Sequence, residues 1–207
     1  MIGNPSESYE HNVLAYARHS IKQVVNQSKK LVKGAIHFMR LENQIEALSE
    51  IGLLLNEGVT INDLLNSFSR EAYESEPFDL ILFVYGIEIE EAPWGRFICN
   101  QAWNFDAEAI EGDGSYVEIV KQFHRISGKG KRIEELSDRV DFEESHAELN
   151  YTVDGVKKTF KPILNDDWVD AQVMEEIMND LCQPGYDFYP KDNGQANVWF
   201  YLGGFKV

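Results

Sequence analysis

The chain has 207 residues and a formal net charge of -16, so carboxylates dominate its electrostatics. A hydrophobic content of 43% is typical of a folded globular protein and excludes an acidic disordered tail. The charge disfavours binding to nucleic acid, and no apolar stretch reaches the length of about 18 residues that a membrane helix requires. Two isolated cysteines, Cys99 and Cys182, favour reduced thiols, so we expect a cytoplasmic protein.

The first third of the chain is predicted to be helical. Apolar residues recur every three or four positions over residues 14–31, which places them on one face of a helix. A second helix is expected over residues 41–55, with Gly58 as its C-terminal stop. A third is expected to begin at Thr60, with Asp63 completing a capping box.

The segment 77–86 has two interpretations. Its apolar run is compatible with a buried strand, but Pro77 and Gly86 stand where a short helix begins and ends. We favour the short buried helix. The alternation of isoleucine and glutamate over residues 87–90 then predicts the beginning of a strand.

A half-buried strand is expected over residues 103–109, because Trp103 and Phe105 alternate with Asp106 and Glu108. The glycines that follow should end this strand and precede a helix. Five apolar residues share one face of that helix and are expected to be buried: Tyr116, Ile119, Val120, Phe123 and Ile126.

The C-terminal part is predicted to contain two hairpins with one helix between them. The first hairpin spans residues 146–163, with its turn at Asp154-Gly155, and the second spans residues 186–202. Asp166 or Asp167 is expected to cap the helix. The apolar face of that helix should cover a sheet built from both hairpins, through Val169, Val173, Ile177 and Leu181.

These elements predict an α+β protein with a helical N-terminal third, followed by antiparallel hairpins packed with helices. We expect a helical region at residues 1–76 and an α+β region at residues 77–207, or a single continuous domain. The oligomeric state does not follow from the sequence.

Two acidic clusters are the candidate sites for binding a partner. The first lies at the end of the predicted strand and the second at the start of the last predicted helix. Their members are Asp106, Glu108, Glu111 and Asp113 in the first, and Asp166, Asp167, Trp168 and Asp170 in the second. A solvated strand face is the simpler explanation of the first cluster, and helix capping that of the second.

No catalytic, cofactor or metal motif accompanies these acids. Residues 106–113 depart from a calcium-binding loop, because the glycine falls one position late and the terminal glutamate is missing. The histidines form no zinc-binding pair: His11, His19, His37, His124 and His146. Cys99 stands in an apolar group and is expected to be a core thiol. We therefore expect no catalytic residue, no metal ligand and no cofactor.

The segments 77–88, 103–110, 114–116, 166–170 and 194–195 follow one another in an order that resembles immunity proteins of bacterial polymorphic-toxin and contact-dependent inhibition systems. This resemblance covers the C-terminal two thirds of the chain. It implies a cytoplasmic, non-catalytic inhibitor that binds a basic partner, a toxin domain, through acidic and aromatic side chains.

Two other functions stay open at this point. One is an enzyme that uses the clusters at residues 106–113 and 166–170, with or without a divalent metal. The other is an oligomeric scaffold that docks through the amphipathic helix at residues 14–31. A buried pair of carboxylates would favour the enzyme, because an acid–base pair needs one carboxylate in a desolvated pocket.

Overall fold

The computed structural model describes residues 39–193 and 196–203. This part of the chain has a mixed α+β architecture with two three-stranded antiparallel sheets, which confirms the predicted class. Its helices are Leu41–Glu50 (α1), Ile61–Ser67 (α2), Arg70–Ser75 (α3), Asp79–Tyr85 (α4), Ser115–Ile126 (α5) and Ala171–Leu181 (α6). Its strands are Ala102–Asp106 (β1), Ile133–Asp141 (β2), His146–Val153 (β3), Val156–Phe160 (β4), Tyr186–Asn193 (β5) and Ala196–Gly203 (β6).

Two predictions concern the N-terminal helix and the absence of membrane spans. The helix expected over residues 14–31 lies outside the described residues. None of the helices within the described ranges is long and apolar enough to cross a membrane.

The chain divides into two compact units. The described parts of the first unit are residues 39–105, 189–193 and 196–202, with helices α1 to α4 and most of the sheet β1–β6–β5. The described parts of the second unit are residues 106–188 and Gly203, and this unit holds α5, α6 and the sheet β2–β3–β4. The boundary expected at residue 76 falls inside the first unit, and as a division between folding domains it stays a prediction.

Helix α1 begins at the expected residue, but the prediction that it continues to residue 55 is wrong. It ends at Glu50, because Gly52 adopts a left-handed conformation with φ of 95°. The N–H of Leu53 then donates to the carbonyl of Leu48 at 3.0 Å. Leu55 forms an antiparallel bridge with Cys99 instead of continuing the helix.

The capping box at the start of α2 is confirmed. The Thr60 side chain accepts a hydrogen bond from the N–H of Asn62, and the Asp63 carboxylate accepts one from the N–H of Thr60 at 2.7 Å. This backbone hydrogen bond, followed by the one from the Thr60 hydroxyl, lowers the pKa of Asp63. The two residues therefore fix the first turn of α2.

The short buried helix expected within residues 77–86 is confirmed as α4. Gly86 is its C-cap, and the carbonyl of Gly86 accepts a hydrogen bond from the N–H of Asn104 in β1 at 2.8 Å. A Cβ atom at position 86 would lie 2.6 Å from that nitrogen, so only glycine permits this approach. The strand predicted for residues 87–90 is wrong, since it reduces to a single bridge between Glu88 and Phe97.

Strand β1 is shorter than predicted. It covers Ala102–Asp106 rather than residues 103–109, with Phe105 buried and Asp106 exposed. Helix α5 follows after the glycines, and all five residues predicted for its inner face are buried.

The sheet of the second unit is built around β3. Alternate residues of β3 are buried, and the Asp154-Gly155 turn joins β3 to β4 as predicted, with positive φ at both positions. The hairpin ends at Phe160 rather than at residue 163. Strand β2, which was not predicted, pairs antiparallel with β3 on the other side.

Helix α6 requires two corrections. Neither Asp166 nor Asp167 caps it; the N-cap is Asp170, and Val169 precedes the helix. Its buried face is confirmed at Val173, Ile177 and Leu181. The two C-terminal hairpins do not share a sheet, because β3–β4 and β5–β6 belong to different ones.

Asp180 ties α6 to the hairpin β3–β4. Its carboxylate accepts a hydrogen bond from the Tyr151 hydroxyl at 2.9 Å and pairs with the Lys158 ammonium at 2.5 Å. Burial raises the pKa of Tyr151, so the phenol keeps the proton that it donates. The contact fixes the side of the β2–β3–β4 sheet on which α6 lies.

Candidate functional site

The structure brings the two predicted acidic clusters together in the second unit. The segment after β1 runs antiparallel to the segment before α6, and a bridge joins Glu108 to Trp168. Two backbone hydrogen bonds of 2.9 Å flank this bridge: Val169 N to Ala107 O, and Ile110 N to Asp167 O. Residues about sixty positions apart in the sequence thus become neighbours. Local sequence patterns could not predict this pairing.

An exposed tryptophan lies beside a carboxylate at this junction, and further acidic residues are close to the two in sequence. Bridge partners place their side chains on the same side of a ladder, so Glu108 lies beside Trp168. The Trp168 side chain is 41% exposed, although large aromatic residues are usually mostly buried. We call the following set the acidic face: Asp106, Glu108, Glu111, Asp166, Asp167 and Trp168.

The members of the acidic face differ in exposure. Asp106, Glu111 and Asp166 are exposed, whereas Glu108 and Asp167 are partly buried. Asp106 also orders the segment locally, because its carboxylate accepts a hydrogen bond from the N–H of Glu108 at 3.0 Å. Asp166 has a left-handed backbone with φ of 54°, which aspartate and asparagine tolerate better than most residues.

Asp113 belongs to the first predicted cluster but has a structural role. Its carboxylate accepts a hydrogen bond from the N–H of Val140 in β2 at 2.6 Å. In the opposite direction, Asp138 of β2 accepts from the N–H groups of Gly114 and Val117, at 2.6 and 3.0 Å. Asp138 therefore caps α5, whose own N-cap glycine has no side chain to do so. These reciprocal bonds hold the start of α5 against β2.

Asp170 belongs to the second predicted cluster and is also structural. Its carboxylate accepts from the N–H groups of Gln172 and Val173 in the first turn of α6, and from that of Ile163 at 2.7 Å. Its own N–H donates to the hydroxyl of Tyr116 at 3.1 Å. Burial raises the pKa of Tyr116 to about 12. Asp170 thus positions the segment that carries Trp168, and it is not part of the acidic face.

Ile163 is an exposed apolar residue that sequence reasoning missed. The sequence predicts that it ends the first C-terminal hairpin, but β4 ends before it. Its side chain is 74% exposed, and its backbone is fixed by the hydrogen bond to Asp170. Ile163 therefore adds exposed apolar surface to the segment that leads to Trp168.

None of the histidines and cysteines in the described part of the chain belongs to the acidic face. The ring nitrogen Nε2 of His124 lies 2.7 Å from the carbonyl oxygen of Lys131. Cys99 is buried, as expected for a core thiol. Over residues 39–193 and 196–203, no three histidine, cysteine, aspartate or glutamate side chains are placed to hold a metal ion. The histidines at positions 11, 19 and 37 lie outside the described residues.

No protein-family model, no curated protein and no solved structure matches this chain. What the acidic face can do is therefore inferred from its own residues. It combines dense negative charge with an exposed aromatic ring on a hydrogen-bonded backbone. Such a surface is suited to binding a cationic protein.

Proposed function

We propose that the protein is a non-catalytic binding protein, an immunity-type inhibitor that binds a basic toxin domain through the acidic face. The observation that carries this proposal is the backbone bridge between Glu108 and Trp168, which joins the segments of the two acidic clusters next to an exposed indole. Tryptophan is enriched among the residues that contribute most to protein–protein binding. The surrounding carboxylates complement the lysine and arginine side chains of a basic partner.

The alternative of an enzyme has less support from the described residues. General acid–base catalysis by two carboxylates needs one of them in a desolvated pocket. No carboxylate of the acidic face is buried. Glu74, the buried carboxylate of the described chain, accepts a hydrogen bond from the N–H of Leu41 at 2.9 Å and pairs with Arg70. Glu74 therefore has a structural explanation as the cap of α1.

Amide substitutions on the acidic face should slow association with the partner. We choose Asp106→Asn, Glu108→Gln, Asp166→Asn and Asp167→Asn, because asparagine tolerates the left-handed backbone at position 166. With four fewer negative charges, the association rate should fall about tenfold at low salt, and the loss should shrink as salt rises. Trp168→Ala should instead mainly raise the dissociation rate, since it removes apolar contact rather than charge.

The matched control removes an equal number of negative charges from the first unit. Glu46, Glu50, Glu57 and Glu76 are exposed residues of the first unit, and their replacement by glutamine removes the same four charges. The control should retain most of the wild-type association rate. Equal losses in both variants would show that net charge alone drives association, and would remove the acidic face from the interface.

The measurement needs the physiological partner. Cross-linking in the native host, followed by expression of the captured basic protein, would supply it for stopped-flow or surface-plasmon-resonance kinetics at two ionic strengths. An inhibitor should also abolish the partner's toxic activity at a one-to-one ratio. A partner that binds but keeps its full activity would contradict the inhibitor function while leaving a binding function.

A further inference from the structure

A second exposed tryptophan lies at the tip of a closed loop in the first unit. The loop comprises residues 89–96, and the bridge between Glu88 and Phe97 closes its base. The N–H of Ile89 donates to the carbonyl of Arg96 at 2.7 Å, next to this bridge. The loop therefore has a fixed base from which its tip, Trp94, extends.

The interior of this loop is held by hydrogen bonds from a single guanidinium. The Nε of Arg96 donates to the carbonyl of Pro93 at 3.0 Å, and its Nη2 donates to that of Glu91 at 3.2 Å. The Glu88 carboxylate accepts a further hydrogen bond from the N–H of Gly95. Several donors in one rigid plane can satisfy several carbonyls at once, which a lysine cannot reproduce. The conformation of the tip is thus set before any partner binds.

The outer surface of the loop is apolar and negative. Trp94 is 71% exposed, and it is the most exposed aromatic residue in the described part of the chain. Glu90 and Glu91 are also exposed. Arg96, the one cation of the loop, faces inward to the backbone carbonyls. The loop thus exposes an indole ring and two carboxylates, while the guanidinium of its own arginine is engaged by backbone carbonyls.

Arginine is the side chain that fits this combination. A guanidinium stacks on the face of an indole through cation–π attraction and pairs with carboxylates in the same plane. Nucleic acid and anionic lipid would be repelled by Glu90 and Glu91. A second copy of the chain would bring the same negative groups against each other.

We propose that the loop 89–96 is a docking site for an arginine side chain of a basic protein, with Trp94 as the stacking surface and Glu90 and Glu91 as its ionic partners. The site lies in the first unit, shares no residue with the acidic face and does not depend on it. Because Arg96 and Glu88 hold the loop in place, little conformational freedom is lost when the guanidinium binds.

Fluorine NMR of the full chain containing 5-fluorotryptophan can test this proposal. The chain has four tryptophans, and Trp94→Phe assigns the resonance of interest. A hexa-arginine peptide should shift the Trp94 resonance saturably, whereas a hexa-citrulline peptide of the same shape but without charge should not. The resonance of the buried Trp199 serves as the internal control for folding. That of Trp168 reports on the acidic face, so the two sites can fail separately.

Charge-neutral variants then identify the ionic partners. The double variant Glu90→Gln, Glu91→Gln should lower the affinity for the peptide, measured from the Trp94 shift, about fivefold. The exposed pair Glu46→Gln and Glu50→Gln removes the same charge from α1 and should leave the affinity near that of the wild type. Arg96→Lys keeps the charge of the loop but loses the planar set of donors, and it should also weaken binding.

Three results would overturn the proposal. The Trp94 resonance could stay in place at peptide concentrations that shift Trp168. It could respond equally to the arginine and citrulline peptides, which would remove the role of charge. The α1 pair could weaken binding as much as the loop pair, which would attribute the effect to net charge alone.

Discussion

Replacing Gln44 by alanine should lower the free energy of unfolding by about 3–5 kcal/mol, because it leaves three buried backbone groups without a partner. Gln44 is fully buried in α1. Its Nε2 donates to the carbonyls of Met39 and Tyr73, each at 2.9 Å, and its Oε1 accepts from the N–H of Phe78 at 2.9 Å. Phe78 has a left-handed backbone with φ of 71°, so the loss also removes a contact that supports this conformation.

Two further variants separate the polar contribution from packing. Gln44→Leu keeps most of the side-chain volume but restores none of the three hydrogen bonds, so it should be almost as destabilising as alanine. Asn43→Ala changes an exposed residue of the same helix and should alter stability by less than about 0.5 kcal/mol. The measurement is urea denaturation followed by circular dichroism. A midpoint for Gln44→Leu equal to that of the wild type would show that these hydrogen bonds contribute nothing to stability.

The elements that could be predicted from the sequence carry their own local signals. Thr60 and Asp63 stand three residues apart before an apolar run, which is the pattern of a capping box. Asp154-Gly155 is a strong two-residue turn because both residues tolerate positive φ. Helix α5 has its apolar residues at helical spacing, and each of them is buried. In these elements, the residues that stabilise the local structure are the same ones whose sequence pattern predicts it.

Strand β2 could not be predicted, because its own residues carry almost no periodic signal. Only Val140 is buried in it, and a bulge shifts its register between Glu134 and Ser137. Pairing with β3 defines the strand instead. The cap of α6 is wrong in the prediction for another reason, because three aspartates stand close together and each is a suitable cap. In the structure Asp170 caps the first turn, and its contacts with Tyr116 and Ile163 hold it in that position.

The candidate site was predicted as two separate sets of residues. The two acidic clusters could be identified from the sequence, because the density of acidic residues along the chain is read directly from it. The meeting of the two clusters depends on backbone hydrogen bonds between distant residues, which no local pattern encodes. The exposure of Trp94 and Trp168 was equally inaccessible, because an exposed tryptophan and a core tryptophan look alike in a sequence.

Replacing Ile177 by alanine should destabilise the second unit by about 2–5 kcal/mol. Ile177 is fully buried, at the centre of the face that α6 presents through Val173, Ile177 and Leu181. The loss combines the transfer free energy of the deleted methyl and methylene groups with the cost of the cavity left behind. The contact of Asp180 with Tyr151 holds α6 to the sheet and should limit its collapse into that cavity, which favours the upper half of the range.

Glu175→Ala is the matched control, since Glu175 is exposed on the same helix and alanine preserves helix propensity. Its free energy of unfolding should stay within about 0.5 kcal/mol of that of the wild type. Ile177→Val shortens the side chain by one carbon. Its destabilisation should lie between those of Glu175→Ala and Ile177→Ala, at about 0.5–1.5 kcal/mol. A graded series from valine to alanine is expected only if position 177 is packed on all sides. Equal midpoints for Ile177→Ala and Glu175→Ala would mean that this face of α6 does not cover the hydrophobic core.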